Sequence, residues 1–444
     1  MNPTPLLPGL SPVQSKPLTA KFDGGRLSSD GGAIVLREIA ERLDLANAIA
    51  GPIRDTRDPT RVIHSHAETV TARMIAIACG YEDCDDLDDL RTDPALKIAC
   101  GRLPDTGADL PSQPTASRLE NTPGWRALAR IGFNMIDVFT ASFTRASRLI
   151  VLDIDETCDP VHGEQQLALF NGHYGTRCFL PIVIFDGLTG KPVTALLRPG
   201  KTPSGTEIAT LLAHVIRRIR RRLPHVRILV RGDSQYGNGT VIETLERLEC
   251  DYVLGFAINE RLKAMSEPWA EACRWRRRPD QARCRRFHTI SYQAHTWTRP
   301  RKVIARVEAT AQGTDARFIV TNLEGRSKHL YEKVYCKRGA AENLIKDFKA
   351  GLRADKTACH RWQANQFRLF LSLGAYWLLH GLRAGAPKRS RWRGATFATL
   401  RLAFVKIAVR VEEMRTRIRL SLPSSYPHAS MLAALVSAIA AEPP

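Results

Sequence analysis

The ten cysteines of this 444-residue chain form no Cys-x-x-Cys pair, so the ligand spacing typical of a structural zinc site is missing. No apolar run reaches the roughly 18 residues that a membrane-spanning helix needs. The first residues also lack the basic and then apolar pattern of a secretory signal peptide. We therefore expect a cytoplasmic protein whose cysteines are reduced thiols.

Acidic residues are scarce relative to basic ones. The chain carries 65 Lys and Arg against 45 Asp and Glu, which gives a formal net charge of +20. This excess favours a polyanionic partner, nucleic acid ahead of a membrane surface, and fits poorly with a two-carboxylate glycosidase. Hydrophobic residues make up 44% of the chain, so a sizeable core can be buried within about two or three domains.

Residues 335–349 concentrate charge on one face of a predicted helix. At about 100° per residue, five polar side chains fall on one narrow stripe: Tyr335, Arg338, Glu342, Lys346 and Lys349. The apolar residues of the segment fall on a separate arc that can pack against a sheet. One carboxylate among cations suits a site that holds a metal ion and binds phosphates. The alternative is a solvated face with an i,i+4 ion pair between Glu342 and Lys346.

The N-terminal third differs in character from the rest. Residues 1–20 are rich in proline and are expected to be extended. Residues 21–147 are predicted to be mostly helical, with helices at 33–43 and 70–79. We interpret this region as a DNA-binding region, for which a helix-turn-helix arrangement is one alternative.

From residue 148 the pattern changes to short apolar strands. The predicted order is three strands, a helix, a strand, a helix and a strand, and it ends near residue 258. Such an order matches an α/β layer that starts with an antiparallel hairpin and continues in parallel, as in ribonuclease-H-like folds. We predict that residues 148–259 form the first part of this core and that residues 331–382 supply its final helices.

Two further regions are basic. Residues 260–330 are rich in arginine and contain strand patterns, and we interpret them as an inserted, strand-rich subdomain. Its tryptophans could stack on unpaired bases or could form the small core of the insert. Residues 383–444 are predicted to form a basic helical C-terminal region. The helical spacing from Leu400 to Val411 favours an amphipathic helix that could lie along DNA.

Three carboxylates stand where this order of elements would bring distant residues together. Asp155 ends the first predicted strand, Asp233 follows the fourth, and Glu342 lies on the charged stripe. Asp153 shares a strand face with Asp155. Mg²⁺ would relieve the repulsion between such acids, and two ions could activate a water or a 3′-hydroxyl. The alternative is that Asp155 and Asp233 are ordinary caps at strand ends.

The same residues carry a resemblance to a known family. The motifs are Leu152-Asp153-Ile154-Asp155-Glu156-Thr157, Arg231-Gly232-Asp233-Ser234-Gln235-Tyr236, and the set Tyr335, Arg338, Glu342 and Lys349. With these motifs the chain resembles DDE transposases of the insertion-sequence family IS1380, which is related to the IS4 group and its Tyr-Arg-Glu-Lys signature. The resemblance covers most of the chain and is strongest over residues 148–380.

The resemblance implies a ribonuclease-H-like endonuclease domain that cleaves DNA at insertion-sequence ends and joins the 3′-hydroxyl ends to target DNA. Asp155, Asp233 and Glu342 would be the catalytic, metal-binding triad for Mg²⁺ or Mn²⁺, and Asp153 is an alternative first ligand. Four residues of the stripe are predicted to contact DNA: Tyr335, Arg338, Lys346 and Lys349.

The implied partners are the terminal inverted repeats of a mobile element and its target DNA. A homodimer would hold two ends in a synaptic complex at the bacterial nucleoid, without a membrane. One alternative is a structure-specific nuclease on the same fold that cuts without strand transfer. Another is a non-catalytic DNA-binding protein derived from a transposase, although an intact acidic triad argues against it.

Overall fold

The computed structural model describes residues 7, 9–143, 148–278 and 280–441. The chain divides into two compact units. The first unit comprises Met1–Asn47, Arg54–Leu119 and Leu378–Pro444, and the second comprises Ala48–Ile53 and Glu120–Trp377. The predicted extended segment 1–20 lies partly outside the described residues. None of the helices in the described part of the chain is both long and apolar enough to cross a membrane.

Up to residue 143, the described N-terminal part of the chain is mostly helical. Its elements are β1 (Leu27–Ser28), α1 (Ala33–Arg42), α2 (Leu45–Ala50), a 3-10 turn (Pro59–Arg61), α3 (His66–Cys79), α4 (Asp86–Leu90), α5 (Pro94–Ala99) and α6 (Gln113–Glu120). Helix α3 begins at a capping box in which Ser65 and Glu68 each satisfy a backbone N–H of the other. A role of this region in DNA binding stays a prediction.

The second unit contains most of the strands. Its elements are α7 (Trp125–Ala141), β2 (Leu149–Glu156), β3 (Asp159–Pro160), β4 (Leu169–Asn171), β5 (Thr176–Phe179), β6 (Ile182–Asp186), β7 (Pro192–Leu196), α8 (Gly205–Arg222), β8 (Arg227–Gly232), α9 (Gly239–Arg247), β9 (Asp251–Phe256), α10 (Glu260–Arg276), β10 (Arg283–Tyr292), β11 (Arg301–Thr310), β12 (Gly313–Thr321), α11 (Ser327–His329), α12 (Gly339–Lys346) and α13 (Trp362–Gly385).

A mixed eight-stranded sheet organises this unit, in the order β10-β11-β12-β9-β8-β2-β6-β7. Strand β2 pairs antiparallel with β6 and parallel with β8, and β8 pairs parallel with β9. The mixed α/β class predicted for this part of the chain is therefore confirmed. On one face of the sheet, Val151 of β2 packs in a buried cluster with Leu330 and Tyr331. The helical segment after β12 thus covers the face that Asp153 and Asp155 share with Val151.

The segment 260–330 extends this sheet, whereas the sequence analysis predicts an inserted subdomain. Strand β12 pairs with β9 from Phe318 opposite Phe256 to Thr321 opposite Val253, and β11 and β10 follow in antiparallel order. The physical reason is that β9 would otherwise be an exposed edge with unpaired backbone groups. Helix α10 lies against the added strands and places Cys273 close to the carbonyl of Val307.

The C-terminal part of the first unit differs from the helix predicted there. Its elements are α14 (Phe397–Leu400), β13 (Val409–Glu413), β14 (Ile418–Ser421) and α15 (Ala429–Ala441). A π-helical turn, Arg401–Val405, ends the helical stretch, and β13 pairs with both β1 and β14. Leu400 and Val411 are buried as the amphipathic pattern requires, but Val409 and Val411 alternate with charged residues at the strand period. The single helix predicted over 400–411 was therefore wrong.

Candidate active site

Two of the predicted carboxylates lie at one edge of the central sheet. Asp155 is near the carboxyl end of β2, and Asp233 directly follows Gly232 at the carboxyl end of β8. Because β2 and β8 are parallel neighbours, their carboxyl ends meet at the same edge. The pKa of Asp155 is raised to about 6, mainly by burial, with an opposing effect of Arg338 and a further contribution from the negative charge of Asp233. The structure therefore brings these two acids into electrostatic contact.

Asp153 lies on the same face of β2 but is engaged in a buried ion pair. Its two carboxylate oxygens accept hydrogen bonds from Nε and Nη2 of Arg231 at 2.6 and 2.7 Å. Asp153 and Arg231 lie directly opposite each other in the register of β2 and β8. Arg231 also donates to the carbonyl of Val334 at 2.9 Å. A Cβ at Gly187 would lie 2.2 Å from Asp153 Oδ2, so the pair is tightly enclosed. These contacts suit a residue that joins strands.

The charged segment is helical but irregular. Residues Leu330–Tyr335 and Asp347–Gly351 form π-helical turns, and Cys336–Arg338 forms a 3-10 turn before α12. A π-turn contains more residues than an α-turn and a 3-10 turn contains fewer, so a uniform 100° step does not hold across the segment. The single stripe predicted for residues 335–349 is therefore divided between positions that face the sheet and positions that face solvent.

Three members of the predicted stripe face the sheet. Arg338 Nη1 donates to Asp155 Oδ2 at 2.8 Å, which places a guanidinium directly at the carboxylate edge. Tyr335 is half-buried, and its hydroxyl would lie 2.9 Å from a Cβ at Gly255. Lys349 donates to the carbonyl of Cys158 in the loop after β2. The structure thus attaches this helical segment to β2 and β9 through predicted site residues.

The other two members of the stripe, Glu342 and Lys346, are exposed on α12. The charge of Glu342 acts on Arg338, one helical turn earlier, and helps to raise the pKa of that guanidinium against the effect of burial. Among the described residues, no group of three or more His, Cys, Asp or Glu side chains could hold a metal ion. The structure therefore brings Asp155, Asp233 and Arg338 together, and the exposed Glu342 acts on this group through Arg338.

Sequence reasoning missed Glu156 and Gln235 as members of this edge. Glu156 Oε1 accepts a hydrogen bond from Gln235 Nε2 at 3.0 Å, whereas Glu156 Oε2 is buried without a hydrogen-bond partner. Burial raises the pKa of Glu156, and the nearby charge of Asp233 adds to the effect. Both residues lie within the motifs around Asp155 and Asp233, but strict strand alternation assigns Glu156 to the opposite face. The position of Glu156 at the end of the predicted strand was the signal in the sequence that could have identified it as part of this edge.

A further buried carboxylate, Asp159, was also missed. It begins β3 and lies 3.5 Å from Lys349 Nζ, with a side chain that is 1% exposed. Its Oδ1 has no hydrogen-bond partner. Burial raises the pKa of Asp159 to about 8, although the cation of Lys349 acts in the opposite direction. Lys349 thus bridges the helical segment and the chain that follows the candidate site.

A cavity of about 580 Å³ opens beside this edge. Asp233 and Arg338 line it together with cationic and aromatic side chains, among them Arg306, Arg317, Phe256, Tyr331 and Tyr335. The tryptophans considered for base stacking lie elsewhere. Trp297 packs in the core against Phe256, Trp269 stacks on His288, and Trp275 is exposed.

The geometry can be set beside known proteins. The chain matches the family model for Transposase DDE domain group 1 over residues 10–444, and it therefore belongs to that family. The comparison with curated proteins finds no match. A solved structure of the piggyBac transposase synaptic complex with hairpin DNA is similar to this chain with a TM-score of 0.43 and 9% sequence identity, covering 86% of this chain and 81% of that chain.

Proposed function

We propose that this protein is a transposase of the IS1380 type, which cleaves DNA at the ends of an insertion sequence and joins the freed 3′-hydroxyl ends to target DNA. The observation that carries the proposal is the meeting of Asp155 and Asp233 at one sheet edge, with Arg338 bonded to Asp155. Membership of the transposase DDE domain family supports a function in DNA transposition. The net charge of +20 favours a DNA partner.

The sheet supports a ribonuclease-H-like core. In a ribonuclease-H-like core the first and fourth strands are neighbours. Here β2 is the first and β8 the fourth of the strands β2, β6, β7 and β8, and these two strands are neighbours in the sheet. Strands β2, β6 and β7 pair antiparallel in that order, whereas β8 runs parallel to both β2 and β9. Such a sheet brings the carboxyl ends of β2 and β8 together, although their acids are 78 residues apart, since 233 − 155 = 78.

The carboxylate edge fits a hard divalent cation. Mg²⁺ prefers oxygen ligands and is commonly bound through one or two carboxylates while it keeps several waters. Asp155 and Asp233 supply two such groups, and the raised pKa of Asp155 reflects negative charge that burial leaves poorly stabilised. We assign these two residues as ligands of Mg²⁺ or Mn²⁺ and Glu342 as the third carboxylate of the triad. The ion would stabilise the charge that develops on the reacting phosphate.

The chain's own side chains have separate roles in this proposal. Arg338 binds a phosphate oxygen of the DNA through charge-assisted hydrogen bonds. Arg231 and Asp153 hold β2 and β8 in register, so that Asp155 and Asp233 stay adjacent. Exposed Lys346 contacts the DNA backbone by charge. Lys349 anchors the helical segment to the loop after β2, and we propose that it contacts DNA from there. We propose that two copies hold the two terminal inverted repeats together.

Strand transfer with pre-cut ends tests this function. DNA that carries the terminal repeats of the element, already cut at its 3′ ends, is incubated with a target plasmid and Mg²⁺. The proposal expects joined products with the parent protein and none with Glu342→Gln, which keeps the side-chain size and removes the charge. Lys337→Gln, at an exposed position next to Arg338, is the matched control. Cleavage of uncut ends without any joining would instead identify a nuclease.

A further inference from the structure

The guanidinium of Arg338 places a positive charge beside Asp155, the residue to which the proposed function assigns a metal ion. Its guanidinium is bonded to Asp155, and the two side chains are 18% and 15% exposed. The charges of Asp155 and Asp233 both act on it. A guanidinium carries only hydrogen-bond donors and stays protonated in proteins. Arg338 therefore neutralises the same carboxylate that would bind the cation.

The same oxygen of Asp155 cannot serve both partners well. A dication bound at Asp155 would face a fixed positive charge at hydrogen-bond distance, and the repulsion would lower its affinity. A DNA phosphate offers Arg338 an alternative partner, because a guanidinium binds phosphate oxygens in a bidentate manner. Whatever draws Arg338 from Asp155 to a phosphate would also free a metal-binding oxygen.

Other cations of this edge are engaged differently. Arg231 is bonded to both oxygens of Asp153 and to the carbonyl of Val334. Arg338 instead donates one hydrogen bond to Asp155, interacts with the Tyr335 side chain and borders the 580 Å³ cavity. The cavity provides space into which this side chain can move.

We propose that Arg338 exchanges between Asp155 in the free protein and a DNA phosphate in the complex, and that it thereby couples metal binding to DNA binding. This inference rests on the proposed function. By linkage, DNA raises the affinity for the metal ion by the same factor by which the metal ion raises the affinity for DNA. A protein without DNA would therefore hold the ion weakly.

The test measures Mn²⁺ binding by electron paramagnetic resonance of the free ion, at pH 8 and without DNA. This pH is above the pKa of about 6 that Asp155 has in the folded protein, so the carboxylate is ionised. Arg338→Gln is expected to bind Mn²⁺ about threefold to tenfold more tightly than the parent. Lys337→Gln removes the same charge from the neighbouring exposed position and is expected to stay within about twofold of the parent.

A second arm adds a mixed-sequence 30-base-pair duplex. Mn²⁺ affinity of the parent is expected to rise about threefold to tenfold, whereas that of Arg338→Gln is expected to change little. Equal Mn²⁺ affinity of the parent and Arg338→Gln, or weaker binding by the variant, overturns the exchange. Asp155→Asn separates the two ideas. If Asp155→Asn loses Mn²⁺ binding, the proposed metal site is supported even when the exchange of Arg338 is not. Unchanged Mn²⁺ binding by Asp155→Asn contradicts the metal site itself. Circular dichroism and melting temperature confirm that each variant is folded.

Discussion

The middle of β2 and its carboxyl end hold two Asp–Arg pairs that differ in kind. Asp153 and Arg231 are 0% and 4% exposed, lie on adjacent parallel strands and share two hydrogen bonds. Asp155 and Arg338 are more exposed and share one hydrogen bond between the strand end and a helical segment. A buried bidentate pair is costly to break, because it leaves an isolated charge, whereas a single contact at a cavity can be exchanged. We therefore expect a structural role for Asp153 and propose a chemical role for Asp155, two residues further along the strand.

The largest expected effect on stability comes from breaking the Asp153–Arg231 pair. Asp153→Asn leaves Arg231 buried without its counter-charge, and we expect the free energy of unfolding to fall by about 3–5 kcal/mol. Denaturant unfolding monitored by circular dichroism measures this change. The double variant Asp153→Asn with Arg231→Gln, which removes both charges, is the control and should recover part of the loss. A fully stable but inactive Asp153→Asn variant would make Asp153 a ligand after all.

Breaking the Asp155–Arg338 pair should have the opposite effect on stability at neutral pH. An acid whose pKa is raised to about 6 in the folded state binds its proton more tightly there than in the unfolded chain, where the pKa is about 3.9. The parent protein therefore loses stability as the pH rises from about 4 to about 6. Asp155→Asn lacks this loss, and its melting temperature at pH 7.5 should equal or exceed that of the parent while activity disappears. A marked loss of stability would assign Asp155 a structural role.

A third Asp–cation pair, Asp159 with Lys349, extends the comparison beyond the end of β2. The pKa of Asp159 is about 8 in the folded protein, mainly because of burial. Stability should therefore decline further as the pH rises from about 4 to about 8. Asp159→Asn is expected to flatten the pH dependence of the melting temperature between pH 6 and pH 8. Parallel curves for the parent and the variant would show that this carboxyl group does not hold a proton in that range.

The smallest effect is expected at the exposed end of the helical segment. Lys346→Gln removes a solvent-exposed cation, and the free energy of unfolding should change by less than about 0.5 kcal/mol. DNA affinity measured over a range of salt concentrations should show a slope smaller by about 1 in the variant, because one phosphate contact is lost. An unchanged slope would remove Lys346 from the DNA-binding surface.

The strands of the core were readable from sequence, and the pairing of their polar residues was not. Apolar runs before Asp155 and Asp233 predict β2 and β8 because both faces of these strands are buried. The partnership of Asp153 with Arg231 depends on the register between two parallel strands 78 residues apart, since 231 − 153 = 78. Local sequence contains no signal for that register, so Asp153 remained an alternative metal ligand in the sequence analysis.

The helical regions show a second limit of sequence reasoning. A uniform angular step predicts one stripe from Tyr335 to Lys349, but the 3-10 turn before α12 and the π-helical turn after it divide that stripe, and Glu342 is exposed. Between Leu400 and Val411 the apolar residues fit a helix period, but residues 409–413 also fit a strand period, and their pairing with β1 and β14 decides in favour of a strand there. In both cases tertiary contacts, which local periodicity does not encode, determine the backbone.

The most direct measurement of the central claim is cleavage of DNA that carries the ends of the element, in the presence of Mg²⁺, by the parent protein and by Asp233→Asn. DNA binding is measured in parallel by fluorescence anisotropy. If Asp155 and Asp233 form the catalytic edge, the variant binds DNA as the parent does and cleaves at least about a thousandfold more slowly. A variant that cleaves as fast as the parent would contradict the assignment and place the chemistry elsewhere in the chain.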